Sequence, residues 1–77
     1  MACMQTKLLL NRVQSINKFV TLMNSFSGRA VLLQKGRCIN AKSVAGVYRL
    51  NEMIVTLVLD GDETEIQKIY NSLLPYI

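Results

Sequence analysis

Lys35-Gly36-Arg37-Cys38-Ile39-Asn40-Ala41-Lys42-Ser43-Val44-Ala45-Gly46-Val47 is the stretch that decides the fold. A compact β-forming run, 29–34, precedes it, and Lys35-Gly36 supplies the tight reversal that returns residues 37–40 antiparallel to that run. The chain then continues into a segment of small residues with Ser43 at its start, which is typical of the beginning of a helix. The stretch therefore predicts a β-hairpin followed by a short helix that ends near Leu50, with Val44, Val47 and Leu50 as one apolar stripe.

The patterns on both sides of this stretch extend the prediction to the whole chain. Before it, we expect a strand over 4–10 and a helix over 12–24, where apolar residues recur at helical spacing. After it, 53–59 has the β-branched composition of a strand, and a last helix starts at Asp62 or Glu63 and ends near Leu74. The apolar side of that helix is formed by Ile66, Ile69, Tyr70, Leu73 and Leu74. The order β-α-β-β-α-β-α favours an α+β fold with an antiparallel sheet covered on one side by helices.

Composition limits the kind of protein this can be. The chain has 77 residues, of which 51% are hydrophobic, and this predicts a single domain over 1–77 with its own core. We find neither a run long enough to span a membrane nor a signal peptide, and therefore expect a soluble cytoplasmic protein. There is no histidine, and the two cysteines lack metal-ligand spacing. We therefore expect no metal, no cofactor and reduced thiols.

The charges are unevenly placed along the sequence. Eight of the nine basic residues precede position 50 and all five acidic residues follow it. The basic part could meet phosphate, an acidic protein or nucleic acid, and a solvated basic face is the simpler interpretation. We do not expect nucleic-acid binding, because the aromatic residues fall in predicted helices, turns or the tail and form no platform on the sheet.

The central motif resembles the HPr-like family, the small phosphocarriers of the bacterial sugar phosphotransferase system. The segment from Lys35 to Val47 is similar to the strand, turn and regulatory-serine segment of that family, and Phe26 and the Leu59-Asp60-Gly61 strand end also fit. The resemblance implies an HPr-like open-faced sandwich, in which three helices cover one face of a four-stranded antiparallel sheet.

Family members carry a phosphoryl group on a histidine, followed closely by an arginine. Alignment from Ser43 without gaps puts Arg12 at the histidine position and Gln14 at the arginine position. A guanidinium offers no neutral nitrogen as a nucleophile and no labile N–P bond, so we expect no phosphocarrier activity. We also expect no enzymatic activity, because no motif pairs a nucleophile with a base. Arg12 could still bind an anion at a helix start, although a solvated arginine is the simpler interpretation.

The resemblance implies a second functional position, Ser43. In relatives, the matching serine is phosphorylated by a serine kinase, and the modified protein binds a transcriptional regulator of carbon use. A phosphate here would face the helix start and the nearby Lys42, Arg12 or Arg49. The alternative is that Ser43 only caps the helix. The expected partner-binding residues are Lys42, Val44, Ala45, Tyr48 and Arg49, and Ala45 and Tyr48 depart from the bulky apolar residues of the family.

The two faces of the predicted sheet are both apolar. If the inward positions include Leu32, Leu57 and Leu59, the opposite face carries Val31, Leu33, Cys38, Ile54, Thr56 and Val58. Such a face is usually more polar when it meets water. An alternative function is therefore a degenerate structural module that forms a homodimer or larger homo-oligomer through this face.

Overall fold

The computed structural model describes residues 2–10, 16–50 and 54–74. Its elements, in chain order, are β1 (Ala2–Leu9), α1 (Ile16–Asn24), β2 (Arg29–Gln34), β3 (Arg37–Asn40), α2 (Val44–Tyr48), β4 (Ile54–Gly61) and α3 (Glu63–Leu73). This is the predicted order β-α-β-β-α-β-α. None of the helices in the described ranges is long and apolar enough to cross a membrane.

The hairpin that decides the fold has the predicted bounds. Gln34 pairs with Arg37, so the connection has two residues, Lys35 and Gly36. Their φ angles are 46° and 79°, as in a type I′ turn, whose twist matches that of the flanking strands. Gly36 adopts a positive φ at little cost, whereas Lys35 does so against the steric preference of an L-residue.

The four strands form one antiparallel sheet in the order β1-β4-β2-β3. β4 lies inside the sheet and pairs along β1, from Ala2 opposite Gly61 to Leu9 opposite Ile54. The sequence interpretation ended β4 before a turn at 60–62. That was wrong at Asp60 and Gly61, because the partner strand β1 begins at Ala2 and pairs with both residues.

The core lies between one face of the sheet and the helices. In β4 every second residue, Val55, Leu57 and Leu59, is buried, as the period of a strand requires. Opposite them lie the buried residues of the helices: Phe19, Val20 and Met23 of α1 and Ile66, Ile69 and Leu73 of α3. Full burial of one such side chain contributes about 1.5–3 kcal/mol, so this layer accounts for much of the stability.

Two predicted core positions are wrong. Val44 was assigned to the buried stripe of α2 with Val47 and Leu50, and Leu74 to that of α3. Val47 and Leu50 are buried, but Val44 is 40% exposed and Leu74 is 49% exposed. α2 has only five residues and packs on β3 and α1 by one side, so its first residue lies outside the contact. Leu74 follows the last residue of α3.

Candidate protein-binding site at helix α2

Helix α2 begins at a capping serine. Ser43 has an extended backbone, with φ −101° and ψ 115°, and its Oγ accepts a hydrogen bond of 3.3 Å from the backbone N–H of Gly46. The carbonyl of Ser43 accepts a bond from Val47 N at 3.0 Å. Ser43 is thus the N-cap of α2, at the helix start that the sequence predicted, and it is partly exposed.

A glycine allows α2 to lie close to the sheet. A Cβ atom placed on Gly46 would come within 2.8 Å of Cγ2 of Ile39 in β3. The methyl group belongs to a β-branched side chain, which has little freedom to move aside. Gly46 therefore fixes the distance between α2 and β3.

Lys42, which precedes the cap, is tied to a different part of the chain. Its Nζ donates hydrogen bonds to the carbonyls of Phe26 at 2.6 Å and Gly28 at 2.9 Å, and lies 5.9 Å from the centroid of the Phe26 ring. Bonds from a charged donor are stronger than those between neutral groups. The ammonium group therefore connects the start of α2 to the loop that enters β2.

Two asparagines complete this connection. Asn24, at the end of α1, donates from Nδ2 to the carbonyl of Lys42 at 3.1 Å and to that of Val20 at 2.9 Å. Asn40 accepts a bond of 2.9 Å from Lys42 N on its Oδ1. We call Asn24, Asn40 and Lys42 the Lys42 cluster, and it positions the start of α2 against α1 and β3.

The outward side of α2 is apolar and accessible. Val44 is 40% exposed and Tyr48, one turn later, is 53% exposed. Ala45 and Arg49 are also exposed, and Arg49 is the C-cap. These four residues, Val44, Ala45, Tyr48 and Arg49, form what we call the α2 surface, and it brings together four of the five predicted partner-binding residues. The fifth, Lys42, lies next to it in sequence but has its ammonium group bound to the carbonyls of Phe26 and Gly28.

A carboxylate lies near the same loop. Ser27 donates to Glu65 both from its hydroxyl, to Oε1, and from its backbone N–H, to Oε2 at 2.9 Å. These hydrogen bonds, helped by the positive charges of Lys42 and Lys68, hold the pKa of Glu65 below its usual value of 4.5. Glu65 therefore connects the start of α3 to the loop that also receives Lys42.

A cavity of ≈420 Å³ opens beside this region, and its lining comes from the ends of β2 and β3. The lining residues are Gly28, Arg29, Ala30, Val31, Cys38, Asn40 and Lys42. They include neither a carboxylate nor an imidazole. Within the described ranges, no group of three or more acidic, cysteine or histidine residues lies close enough to hold a metal ion.

The predicted carrier-site positions Arg12 and Gln14 lie outside the described residues. The absence of histidine is a property of the sequence itself. Cys3 and Cys38 are both exposed and free.

The sequence did not reveal the contacts of the Lys42 cluster or the Ser27–Glu65 pair. Lys42 reaches residues 14 and 16 positions earlier, and Ser27 is 38 positions from Glu65. The one available signal was local: Asn40 two residues before Lys42 is typical of a turn in which the asparagine accepts a backbone bond.

No protein-family model and no curated protein matches the chain. Solved structures do. The phosphocarrier protein HPr from Bacillus anthracis str. Ames has 24% sequence identity and a TM-score of 0.72, and the match covers 100% of this chain and 99% of that one. HPr-C-His from Thermoanaerobacter tengcongensis has 23% identity and a TM-score of 0.69, with coverage of 96% and 91%.

A third solved structure, a histidine-containing phosphocarrier protein of Mycoplasma, has 15% identity and a TM-score of 0.70, with 92% of each chain covered. At such identities the likeness concerns the fold, and it spans nearly the whole of every chain compared. Together with the sheet order and the three helices, these matches confirm the fold that the sequence resemblance implied: the chain is an HPr-like α+β open-faced sandwich.

Proposed function

We propose that this chain is a non-catalytic, HPr-like regulatory protein of bacterial sugar uptake and carbon regulation, which binds protein partners through the α2 surface and does not carry phosphate on histidine. The observation that supports this most is the pairing of an intact HPr-like fold with a sequence that contains no histidine. A phosphocarrier without an imidazole cannot form the labile N–P bond that transfer needs. Partner binding is the role that such a scaffold keeps.

The α2 surface has the features of a small docking site. Val44 and Tyr48 lie on adjacent turns and are 40% and 53% exposed, and Arg49 places a positive charge beside them. Tyrosine and arginine are enriched at protein interfaces, where a few large side chains supply most of the binding energy. A partner with an apolar pocket and an acidic rim would fit this surface.

Ser43 is the proposed site of control. Ser43 is partly exposed, and among the described residues its hydroxyl is held by one bond, of 3.3 Å, from Gly46 N, which a kinase can break at a cost of about 1 kcal/mol. A phosphate on Ser43 could accept the same bond and add about two negative charges beside the α2 surface. Pairing of that phosphate with Lys42 would first require the bonds from Lys42 to Phe26 and Gly28 to break.

The first experiment tests the loss of phosphocarrier activity. The protein is incubated with the phosphotransferase enzyme I and labelled phosphoenolpyruvate, beside a histidine-containing HPr as the positive control. We expect label on the control alone. Acid-labile label on this chain would overturn the proposal.

The second experiment tests regulation and partner binding. We expect a serine kinase specific for HPr-like proteins to label the wild type and Ser72→Ala but not Ser43→Ala.

Partners captured from the native cell should be lost with Tyr48→Ala and Val44→Lys. The matched control is Leu33→Lys, at a residue that is 39% exposed, like Val44, but lies in β2. Labelling of Ser43→Ala equal to that of the wild type would contradict this function, as would capture of the same partners by Val44→Lys. Either result would favour a module that only self-associates.

A further inference from the structure

The sheet face away from the helices, which we call the outer face, is apolar along its centre. The strand register places Val31, Leu33, Ile54, Thr56 and Val58 there, with Leu9 and Cys38 beside them. The polar residues Gln5 and Lys7 of β1 and Asn40 of β3 lie on the same face along its two edges. Ile54 is 64% exposed and Leu33 is 39% exposed. An antiparallel sheet with one solvated face normally carries polar residues there. The face thus has the composition of an interface.

The two charged groups on the central strands of the outer face lie in one row at one end of these strands. The face carries a third charged group, Lys7, on the edge strand β1 opposite Thr56. Arg29 of β2 is directly opposite Asp60 of β4, and both are exposed. The next rows along the same strands pair Val31 with Val58 and Leu33 with Thr56. The centre of the face is therefore aliphatic, and one opposite-charge pair marks one end of it.

This arrangement is complementary to itself under one symmetry. If two copies stack face to face about a two-fold axis parallel to the strands, β4 of each copy lies over β2 of the other. Asp60 then faces the second copy's Arg29, and Arg29 faces its Asp60, while Val58 and Val31 face each other. An axis across the strands would instead place the charged row over itself, like charge on like charge, or over the apolar end at Ile54.

We infer that the outer face is covered by a second copy of this chain, in a two-fold dimer whose axis runs parallel to β2 and β4. The two sheets pack as a sandwich about 10 Å apart, with aliphatic side chains between them and reciprocal Arg29–Asp60 pairs at one end. Such an interface is isologous, since each copy contributes the same patch. This inference goes beyond the proposed function, because it concerns the opposite face of the sheet from α2.

The size of the face predicts a weak dimer. Four strands spaced about 4.8 Å apart and four rows about 6.7 Å apart give an area of about 500 Å² per copy. The total of about 1,000 Å² is below the roughly 1,200–2,000 Å² of stable complexes, so we expect a Kd on the order of 100 μM. The dimer leaves the helices outside, and thus presents two α2 surfaces, which would strengthen binding to a partner with two sites.

Sedimentation equilibrium from 10 μM to 1 mM tests the dimer directly. We expect wild-type protein to shift from monomer to dimer over this range, and Leu33→Lys to weaken association at least tenfold by burying a charge in the apolar centre. Val44→Lys is the matched control, because it makes the same change at an equally exposed residue on the other side of the molecule, and it should associate like the wild type. A wild-type chain that stays monomeric at 1 mM overturns the inference, as does equal weakening by both variants.

A charge exchange between two samples tests the symmetry. Asp60→Lys alone and Arg29→Glu alone each put like charges opposite each other, so each should remain monomeric. When the two variants are mixed, Arg29 of the Asp60→Lys variant faces Asp60 of the Arg29→Glu variant, and the introduced lysine faces the introduced glutamate. A mixed dimer should therefore form. The control pair is Glu63→Lys and Arg37→Glu, which make the same changes in net charge away from the row of Arg29 and Asp60. Each of these two variants should form a dimer on its own. Thermal unfolding checks that both variants are folded. If the mixture of folded variants contains no larger fraction of dimer than the separate samples, the proposed axis is overturned.

Discussion

The described part of the chain exposes two apolar surfaces, and they are held in place in different ways. The α2 surface lies on a helix of five residues that is fixed by a few contacts. These are the polar contacts of the Ser43 cap and the Lys42 cluster and the close packing of Gly46 on β3. The outer face lies on strands paired along their whole length, from Ala2 opposite Gly61 through Leu32 opposite Ile39. The position of the α2 surface therefore depends on contacts of single residues, whereas that of the outer face depends on the many backbone hydrogen bonds of the sheet.

This difference sets what mutation can do to each surface. A helix of five residues has too few internal hydrogen bonds to be stable alone, so loss of one anchoring contact should displace the α2 surface. The outer face can change one side chain at a time while the backbone ladder keeps its geometry. The α2 surface therefore suits regulation, and the outer face suits gradual adjustment of self-association.

The largest effect is expected at Gly28, where the two regions meet. A Cβ on this residue would lie 2.3 Å from the carbonyl oxygen of Asp60 and 2.7 Å from Cζ of Phe26. The carbonyl belongs to the β2–β4 ladder and cannot move freely, so Gly28→Ala should lower the free energy of unfolding by about 3 kcal/mol. Urea denaturation followed by circular dichroism measures this.

Gly36→Ala is the control for that change. A Cβ on Gly36 meets nothing within 4 Å, but its φ of 79° disfavours any side chain, so a loss of only about 1 kcal/mol is expected from backbone strain. Equal losses in the two variants would mean that the contact with Asp60 is not what makes Gly28 necessary.

The next effect is expected at Lys42. Lys42→Met keeps the aliphatic stem but removes the two charged hydrogen bonds to Phe26 and Gly28, and should cost about 2 kcal/mol. Because these bonds anchor α2, amide hydrogen exchange should become faster in α2 than in β2 or β4. Lys7→Met, at an exposed position of β1, should change stability by less than about 0.5 kcal/mol. Uniformly faster exchange throughout the protein would contradict a local anchoring role.

The same contrast explains how much the sequence could predict. The bounds of β2 and β3 were predicted correctly, because the Lys35-Gly36 turn and the two flanking runs are neighbours in sequence. The alternation that separates Leu57 from Val58 was also sufficient to assign the two faces of the sheet. Regular elements follow from local patterns, which a single sequence displays.

The candidate site was less predictable, because its contacts are not local. Residue types alone suggested that Val44 would be buried and that the charge of Lys42 would be available to a phosphate. Both depend on where α2 lies relative to α1 and the loop at 26–28, and that position is set by bonds between residues 14 to 18 apart. Ser43 was identified by its local pattern as the start of the helix, and its regulatory role remains a prediction.

A smaller effect is expected at the cap of α2. Ser43→Ala removes the acceptor of the bond from Gly46 N and should lower the free energy of unfolding by about 1 kcal/mol. Ser43→Asp keeps an acceptor at the cap and places a negative charge at the helix start, so its loss should be smaller. Thermal unfolding of the three proteins at one pH and salt concentration makes the comparison, and equal losses in both variants would show that the cap contributes little.

The smallest effect concerns Glu65 and depends on pH. Its pKa is lower in the folded protein than the usual 4.5, because Ser27 donates two hydrogen bonds to the carboxylate. The resulting stabilisation is therefore complete above pH 4.5 and is lost as the pH falls through the folded pKa. Glu65→Gln should be less stable than the wild type at pH 7, and the difference should shrink below pH 4.5. Glu63→Gln, an exposed residue in the same turn, should show no such narrowing, and a constant difference for Glu65→Gln across this range would mean that Ser27 does not prefer the ionised carboxylate.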